Sequence, residues 1–304
     1  MSYHKSVLLK EAVEGLNILP DGVYVDITFG GGGHSNAILD RLGPAGKLIA
    51  FDQDVDALRN AIDDDRFLLI NENFRHLKRF LRFHGYDQID GLIADFGVSS
   101  HQFDQSDRGF STRFDGTLDM RMNQNDELSA IHVVNEYDEF ELTQIFKSYG
   151  ELRQAPILAR NIVRSRISSP IKTTAQLNGI VKRLVPDKRE NKILAQIYQA
   201  IRIEVNHEMD VLKDMLLQLP SIVKPGGRIG LMSYHSLEDR LVKRFVRSGM
   251  FEGEPEKDVF GNTSVPFFKI GGLITPSNDE IASNSRARSA KLRIAERHTI
   301  NHER

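Results

Sequence analysis

The chain has 304 residues, 40% of them hydrophobic, enough for one large or two modest domains with a substantial core. It contains no cysteine, which excludes disulfides, thiolate zinc sites and cysteine nucleophiles, and it shows neither a signal-peptide core nor an apolar run of membrane-spanning length. The formal net charge is only −2, but it is unevenly spread: residues 104–151 carry 4 Lys and Arg against 11 Asp and Glu, residues 153–202 carry 11 against 2, and residues 286–304 carry 6 against 2. A cytoplasmic protein follows by default. Two separate basic stretches favour a polyanion partner over the bland alternative of solvated helix faces.

Between His4 and Leu16, the residues Val7, Leu8, Ala12, Val13 and Leu16 recur at helical spacing and predict a helix beside the first strand. Val23, Val25 and Ile27 then read as a short buried strand. Four glycines follow, Gly30 to Gly33, and after His34-Ser35-Asn36 a helix is predicted by Ala37, Ile38, Leu39 and Leu42. Strand, glycine turn and helix start is the layout of a nucleotide-type cofactor site. Glycine lacks a Cβ, so the turn can be tight and a ligand can approach the backbone, while the new helix offers unpaired N–H groups.

A glycine run alone is a weak signal, and its bland reading is a flexible turn. Two carboxylates strengthen it. Asp26 lies at the strand end before the glycines, and Asp52 ends the next apolar run, Lys47–Phe51, where a ribose-binding acid is expected. The dinucleotide fingerprint fits poorly, because its third position is Ser35, and no Gly-Lys-Ser/Thr follows to make a phosphate loop. An acid just ahead of the glycines suits a ligand with an ammonium group. S-adenosylmethionine has one, beside a sulfonium and a ribose.

Further along, a helix is predicted through Val55, Leu58 and Ala61, a third strand over Arg66–Asn71 leading to Phe74, a helix with Leu77, Phe80 and Leu81, and a fourth strand over Ile89–Asp95. Alternating strands and helices imply an α/β fold with a doubly wound, mostly parallel sheet, whose ligands sit outside the carboxyl ends of the strands. Asp26, Asp52, Phe74 and Asp95 all fall at or just beyond such ends. The rhythm breaks over Phe96–Asn125, and Asp126–Ala200 reads as helices punctuated by Pro156, Pro170 and Pro186. The expected organisation is a cofactor-binding domain from residues 1–101 and 209–304, with an inserted helical domain at 102–208. A helix through Met209, Leu212, Leu216 and Leu219 precedes a fifth strand, Arg228–Ser233, then a helix over Leu237–Arg247. Phe267–Ile270 and Lys291–Ala295 are the last predicted strands.

With these segments placed, the chain resembles the bacterial methyltransferase family that modifies the exocyclic N4 of a cytidine in the decoding region of small-subunit (16S) ribosomal RNA. The resemblance spans nearly the full length. It rests on His4-Lys5-Ser6-Val7-Leu8-Leu9, the run from Asp26 to Ser35, Asp95-Phe96-Gly97-Val98-Ser99-Ser100 with Gln102, and Arg108-Gly109-Phe110-Ser111. It continues through the runs Asp115–Met122, Gln199–Ile203 and Val205–Glu208, then Ser233–Arg240 and Asn284–Ala290. The resemblance implies S-adenosylmethionine as donor, a class I Rossmann-like methyltransferase sheet with its last strand antiparallel, and a helical insertion that helps hold RNA. It implies cofactor contacts at Gly32, Gly33, His34, Asp52, Phe74, Asp95 and Gln102. Gly31 sits where an Arg is common, and Thr117 where a Pro is usual.

Each role has a structural rival. Asp52 is expected to accept the ribose hydroxyls, its rival being a helix cap. Phe74 is expected to stack on adenine, its rival being ordinary core. Asp26 is expected to orient the loop or the donor's amino group. His34 is expected to bind the donor through ring or backbone, its rival being a helix-start residue. Methyl transfer to an aromatic amine needs acceptors around a poorly nucleophilic nitrogen and alignment with the sulfur–methyl bond. Asp95 and the carbonyls of Phe96–Val98 are the candidates for that polarisation. Ser233, His235 and Ser236 are expected to contact the target nucleotide or its phosphate, their rival being the start of a helix at Glu238-Asp239. Arg160, Arg164, Arg166, Lys182, Arg183, Arg286 and Arg288 are expected phosphate contacts. No residue spacing implies a metal. Two other classes share parts of this pattern: a nicotinamide-dependent oxidoreductase, and a non-catalytic ribosome-assembly factor. Titration with S-adenosylmethionine and with NAD separates all three.

Overall fold

The computed structural model describes residues 6–255 and 264–298. His4 and Lys5 of the N-terminal motif, and the basic tail beyond residue 298, lie outside the described residues. The chain divides into two units: one from the start to Gly97 together with Asp210 onward, the other Val98–Met209.

The first unit opens with α1 (Leu9–Gly15), β1 (Val23–Asp26), α2 (Gly33–Leu39), β2 (Lys47–Phe51), β3 (Phe67–Ile70), α3 (Leu77–Phe83) and β4 (Ile89–Asp95). The second holds α4 (Ser100–Asp104), α5 (Ala130–Glu136), α6 (Glu139–Ser148), α7 (Ala155–Ser168), α8 (Thr174–Lys182) and α9 (Asp187–Asn206). Then come α10 (Glu208–Ile222), β5 (Val223–Ser233), α11 (Ser236–Ser248), β6 (Phe267–Ile274), α12 (Asn278–Ser283) and β7 (Lys291–Arg297).

The sheet order is β3-β2-β1-β4-β5-β7-β6. Strands β1 to β5 run parallel, and β7 is antiparallel to both of its neighbours, β5 and β6. The chain moves outward from β1 to β3, then returns to the other side of β1 with β4. The crevice at the carboxyl ends of β1 and β4 is therefore the topological switch point, where open α/β sheets bind their ligands.

Period-two alternation explains how both faces are covered. Tyr24, Leu48, Ile93, Met232 and Leu292 pack on one face with α1 and α2 residues such as Val13 and Ile38. Val25, Ile49, Leu92 and Leu231 pack on the other with Leu77 and Leu81 of α3, Leu212, Leu216 and Leu219 of α10, and Phe245 of α11. A sheet buried on both faces needs apolar residues at consecutive positions, and the β2 and β4 sequences have them.

Several boundaries differ from the sequence expectation for physical reasons. The first helix starts at Leu9, because Leu8 is left-handed at φ 49° and breaks the helical run. The segment predicted as a helix through Val55 is a short 3-10 turn, Val55–Asn60, whose start is held by the Asp54 side chain accepting from the Asp56 amide at 3.1 Å. The fifth strand extends back to Val223, through an irregular stretch between Ile89 and Gly91 of β4.

The second unit has its own core, built from Val134, Leu142, Phe146, Leu158, Ile162, Leu177, Val181, Ile197 and Ile201. Capping boxes start α6 at Asp138–Glu141 and α8 at Thr173–Gln176. The aperiodic loop ahead of α5 contributes Phe110, Leu118, Met120 and Met122 to this core. Asn206 ties the loop down: its Oδ1 accepts from the Met122 amide at 2.7 Å and its Nδ2 donates to the Met120 carbonyl at 2.8 Å.

Candidate active site

The glycine loop is held between two strand ends. The Phe29 amide donates to the Phe51 carbonyl at 3.0 Å, and the Gly32 amide turns back onto the Phe29 carbonyl at 2.8 Å. Gly32 adopts φ 75°, in the left-handed region that favours glycine, and caps α2. A side chain at Gly33 would run into the Ser6 hydroxyl. Among the described residues nothing stands within 4 Å of where a Gly31 side chain would begin.

Three carboxylates border this loop, with no Lys or Arg paired to any of them among the described residues. Asp26, at the end of β1, is 1% exposed. It accepts the Ser35 hydroxyl at 2.7 Å and the Thr28 amide at 3.1 Å. Burial pushes its carboxyl above the ordinary range, against the His34 ring and these hydrogen bonds, which hold it down. Asp52, just past β2, accepts from the Gly30 amide at 2.8 Å through one oxygen and from the Asp54 amide at 2.9 Å through the other. Each oxygen keeps a lone pair for a further donor. Desolvation raises Asp52 to about 6 despite both amides.

Asp95, the last residue of β4, is the most constrained. Its amide donates to the Thr28 hydroxyl at 2.7 Å, and its Oδ1 accepts the Tyr234 hydroxyl at 2.7 Å. Its Oδ2 lies 4.0 Å from Nδ1 of the buried His34. The other ring nitrogen of His34, Nε2, is 3.1 Å from the Val7 carbonyl. A carbonyl can only accept, so Nε2 donates there, and Nδ1 is the nitrogen turned toward Asp95. Burial lifts Asp95 to about 6, with His34 and Tyr234 acting to lower it and Asp26 and Glu238 to raise it.

The structure thus brings Asp26, His34 and Asp95 together at the switch point and sets Asp52 against the glycine loop. Phe74 is half-buried beyond β3, its ring 6.5 Å from Phe96. Ser233 is 1% exposed, with its hydroxyl 3.5 Å from the Lys291 carbonyl of β7. His235 caps α11 in a capping box with Glu238, whose carboxylate accepts from the Tyr234 amide at 2.8 Å. Gln102 lies in the second unit, where its side-chain oxygen accepts from the Ser99 amide at 3.1 Å and closes the cap of α4.

Sequence reasoning did not single out Ser35, Thr28 or Tyr234. Ser35 had a signal: a hydroxyl in the first turn after a glycine loop points back at the strand end. Tyr234 had none, because it meets Asp95 across 139 residues of chain. Chemically, desolvated acids fixed by neutral donors form a place for a cationic ligand, and a carboxylate with two spare lone pairs suits a vicinal diol.

Comparison with known proteins adds to this geometry. The family model described as the MraW methylase family matches residues 1–298. The chain is 66% identical to the ribosomal RNA small subunit methyltransferase H of Christiangramia forsetii, covering 97% of this chain and 98% of that protein. It is 65% identical to the protein of the same name from Flavobacterium johnsoniae, with 98% of each covered. Identity to that of Bacteroides thetaiotaomicron is 52%, again over 98% of each.

Proposed function

The chain belongs to the MraW methylase family, and from that premise we propose that it transfers a methyl group from S-adenosylmethionine to the exocyclic N4 of a cytidine in 16S ribosomal RNA of the small subunit. The observation that carries the reading is the group of desolvated acids, Asp26, Asp52 and Asp95, with no Lys or Arg partner among the described residues, around the glycine loop at the switch point.

The residues present fit this donor. Gly32 and Gly33 set the tight turn that bares the loop's backbone, and Asp52 accepts the ribose hydroxyls on its spare lone pairs. Phe74 lies at the strand-end position from which a ring can cover the adenine. Asp26 holds the loop through Ser35 and Thr28 and supplies negative charge toward the cationic end. The family resemblance names Gln102 as a further cofactor contact. When bound, the donor supplies an electrophilic methyl group on a positively charged sulfur.

Cytosine's amino lone pair is delocalised into the ring, so the chain has to hold the nitrogen in line and accept its N–H groups. Asp95 and the carbonyls after it take that part, and alignment is worth several kcal/mol. The amine proton leaves after transfer, toward the Asp95 carboxylate. Ser233 and His235, the expected contacts to the target nucleotide or its phosphate, stand at the end of β5 and at the cap of α11, where His235 also fixes the turn that carries Tyr234. If the target base is stacked within folded RNA, its extrusion costs a few kcal/mol.

The second unit, with its 11 Lys and Arg over residues 153–202, is the RNA-holding part of this reading. Its cations are not equivalent. Arg160 is paired with Glu139, Lys182 with Glu190, and Arg166 donates to the Val134 carbonyl, whereas Arg164 and Arg183 are exposed. Arg286 and Arg288 are exposed in the first unit.

No helix among the described residues is long and apolar enough to cross a membrane. Action in the cytoplasm on the small subunit agrees with that. The test is mass mapping of small-subunit RNA from cells lacking the protein, followed by incubation with purified protein and labelled donor. The expected result is one cytidine that lacks its N4 methyl group and regains it. A full set of methyl groups in the deficient cells, or calorimetric binding of NAD in place of S-adenosylmethionine, overturns the proposal.

A further inference from the structure

Tyr234 is fixed at three points. Its amide donates to Glu238, itself 1% exposed, at 2.8 Å, and its hydroxyl donates to Asp95 Oδ1 at 2.7 Å. Its ring lies beside Gly97, which turns away at φ 102° with Tyr234 Cδ2, at 3.8 Å, as the nearest described atom to the place of a side chain. Burial and the adjacent Asp95 charge push the phenol far above its ordinary value, so the hydroxyl remains a donor across the working pH range. Tyr234 follows β5, and Asp95 ends β4. Their hydrogen bond therefore ties the turns after two adjacent strands together at the switch point.

The consequence is a division of labour between the two carboxylate oxygens. Oδ1 is committed to Tyr234. Oδ2 faces His34 Nδ1 at 4.0 Å, too far for a hydrogen bond, and is the oxygen left to accept from a bound group. We propose that Tyr234 is a positioning residue for the methyl transfer: it locks Asp95 through Oδ1 so that Oδ2 is presented, ionised, to the amino group being methylated. The proposal rests on the methyltransferase reading above. Its geometry does not depend on Ser233 or His235 touching the substrate.

The groups that face Asp95 are His34 from α2, Asp26 from β1, Tyr234 from the turn after β5, and Glu238 from α11. Of these, Tyr234 is the neutral donor that stabilises the ionised form by a direct bond. Removing the hydroxyl raises the Asp95 carboxyl and frees its rotation.

The experiment is the pH profile of kcat for the full-length protein and for Tyr234→Phe, on small-subunit RNA with labelled S-adenosylmethionine. The expected result is an acid limb moved upward by about one pH unit, a rate near pH 6 lowered about fivefold, and a rate at pH 8.5 within about 1.5-fold of wild type. A purely structural role would lower the rate equally at every pH. A second measurement needs no turnover: the carbon-13 titration of the Asp95 carboxyl in the ligand-free protein moves upward by the same amount. An unmoved limb, a loss uniform across pH, or an unmoved carboxyl titration overturns the inference. Wild-type protein that methylates no small-subunit RNA removes the methyltransferase reading itself. Active wild type with an indistinguishable Tyr234→Phe removes this inference alone.

Discussion

Asp52→Asn separates the cost of the site's charge from its use. Asp52 titrates near 6 in the folded chain against an ordinary 3.8, a difference of about 2 units, or at most about 3 kcal/mol for a half-buried group. The folded value lies above the unfolded one, so the folded chain holds the extra proton between those two values. This contribution is fully present below about 3.8 and is lost as pH rises through about 6. Asparagine removes the charge and with it the slope. It also replaces one acceptor with an NH2 group facing either the Gly30 or the Asp54 amide, which costs about 1.5–3 kcal/mol. The two effects oppose one another at neutral pH, and only the second survives in acid. The variant is therefore expected to be less stable than wild type at pH 4.5, and level with it or above it at pH 7.5. Urea denaturation followed by far-UV circular dichroism at the two pH values reads the difference. Donor affinity, read by calorimetry at pH 7.5, falls at least about tenfold with the loss of charge-assisted acceptors for the ribose. Equal pH slopes in variant and wild type would refute the argument, because Asp52 would then carry no desolvation cost.

Three further outcomes follow from single features. Gly32→Ala places a Cβ at φ 75° and 3.0 Å from the Phe29 ring, costing about 1–2 kcal/mol of strain, and the donor-induced rise in melting temperature shrinks by more than the melting temperature of the free protein. Asn206→Ala strips the bonds to the Met122 amide and the Met120 and Arg202 carbonyls, destabilises the second unit by about 2–4 kcal/mol, and speeds hydrogen exchange at the Met122 amide. RNA affinity falls linearly with log salt, and Arg183→Glu or Arg164→Glu lowers the slope by about one each; a flat salt dependence, measured by filter binding, removes the basic-face reading.

How much of this was legible in the chain depended on whether the cause was local. β4 was readable to the residue, because Ile89–Asp95 is an apolar run ended by a charge. The glycine loop and its flanking acids were readable for the same reason: tight turns and strand ends impose residue types at their own positions. The 3-10 turn after Asp54 was not, since Val55 and Leu58 fit a helix and only the aspartate cap decides otherwise. The loop over Phe110–Met122 buries four apolar side chains without periodicity, so pattern reading sees a loop and misses core. The insertion of β7 between β5 and β6 leaves no mark in either strand. In the site, the acids announced themselves and their partners did not. Ser35 and Thr28 act over nine and two residues, but Tyr234 acts over 139, and a tyrosine after a strand reads the same whether or not it meets a carboxylate.

On the proposed function the donor, rather than a protein side chain, supplies the cation at this site, and the contrast between acids inside and outside it supports that reading. Elsewhere this chain pairs its acids: Asp90 with Lys224, Asp239 with Lys291 and Arg293, and Asp64 with Arg66, whose hydrogen bonds hold the Asp64 carboxyl down at about 2. At the switch point the same chain, with 40 Lys and Arg to draw on, surrounds Asp26 and Asp95 with hydroxyls, amides and one imidazole. An aspartate matched to arginine is already neutralised and gains little from a charged ligand. Desolvated aspartates with no Lys or Arg partner among the described residues sit high, because His34 and the hydrogen bonds offset only part of the burial. On the proposed function, methyl transfer discharges the sulfonium, and acids that attract the donor then hold the product less tightly.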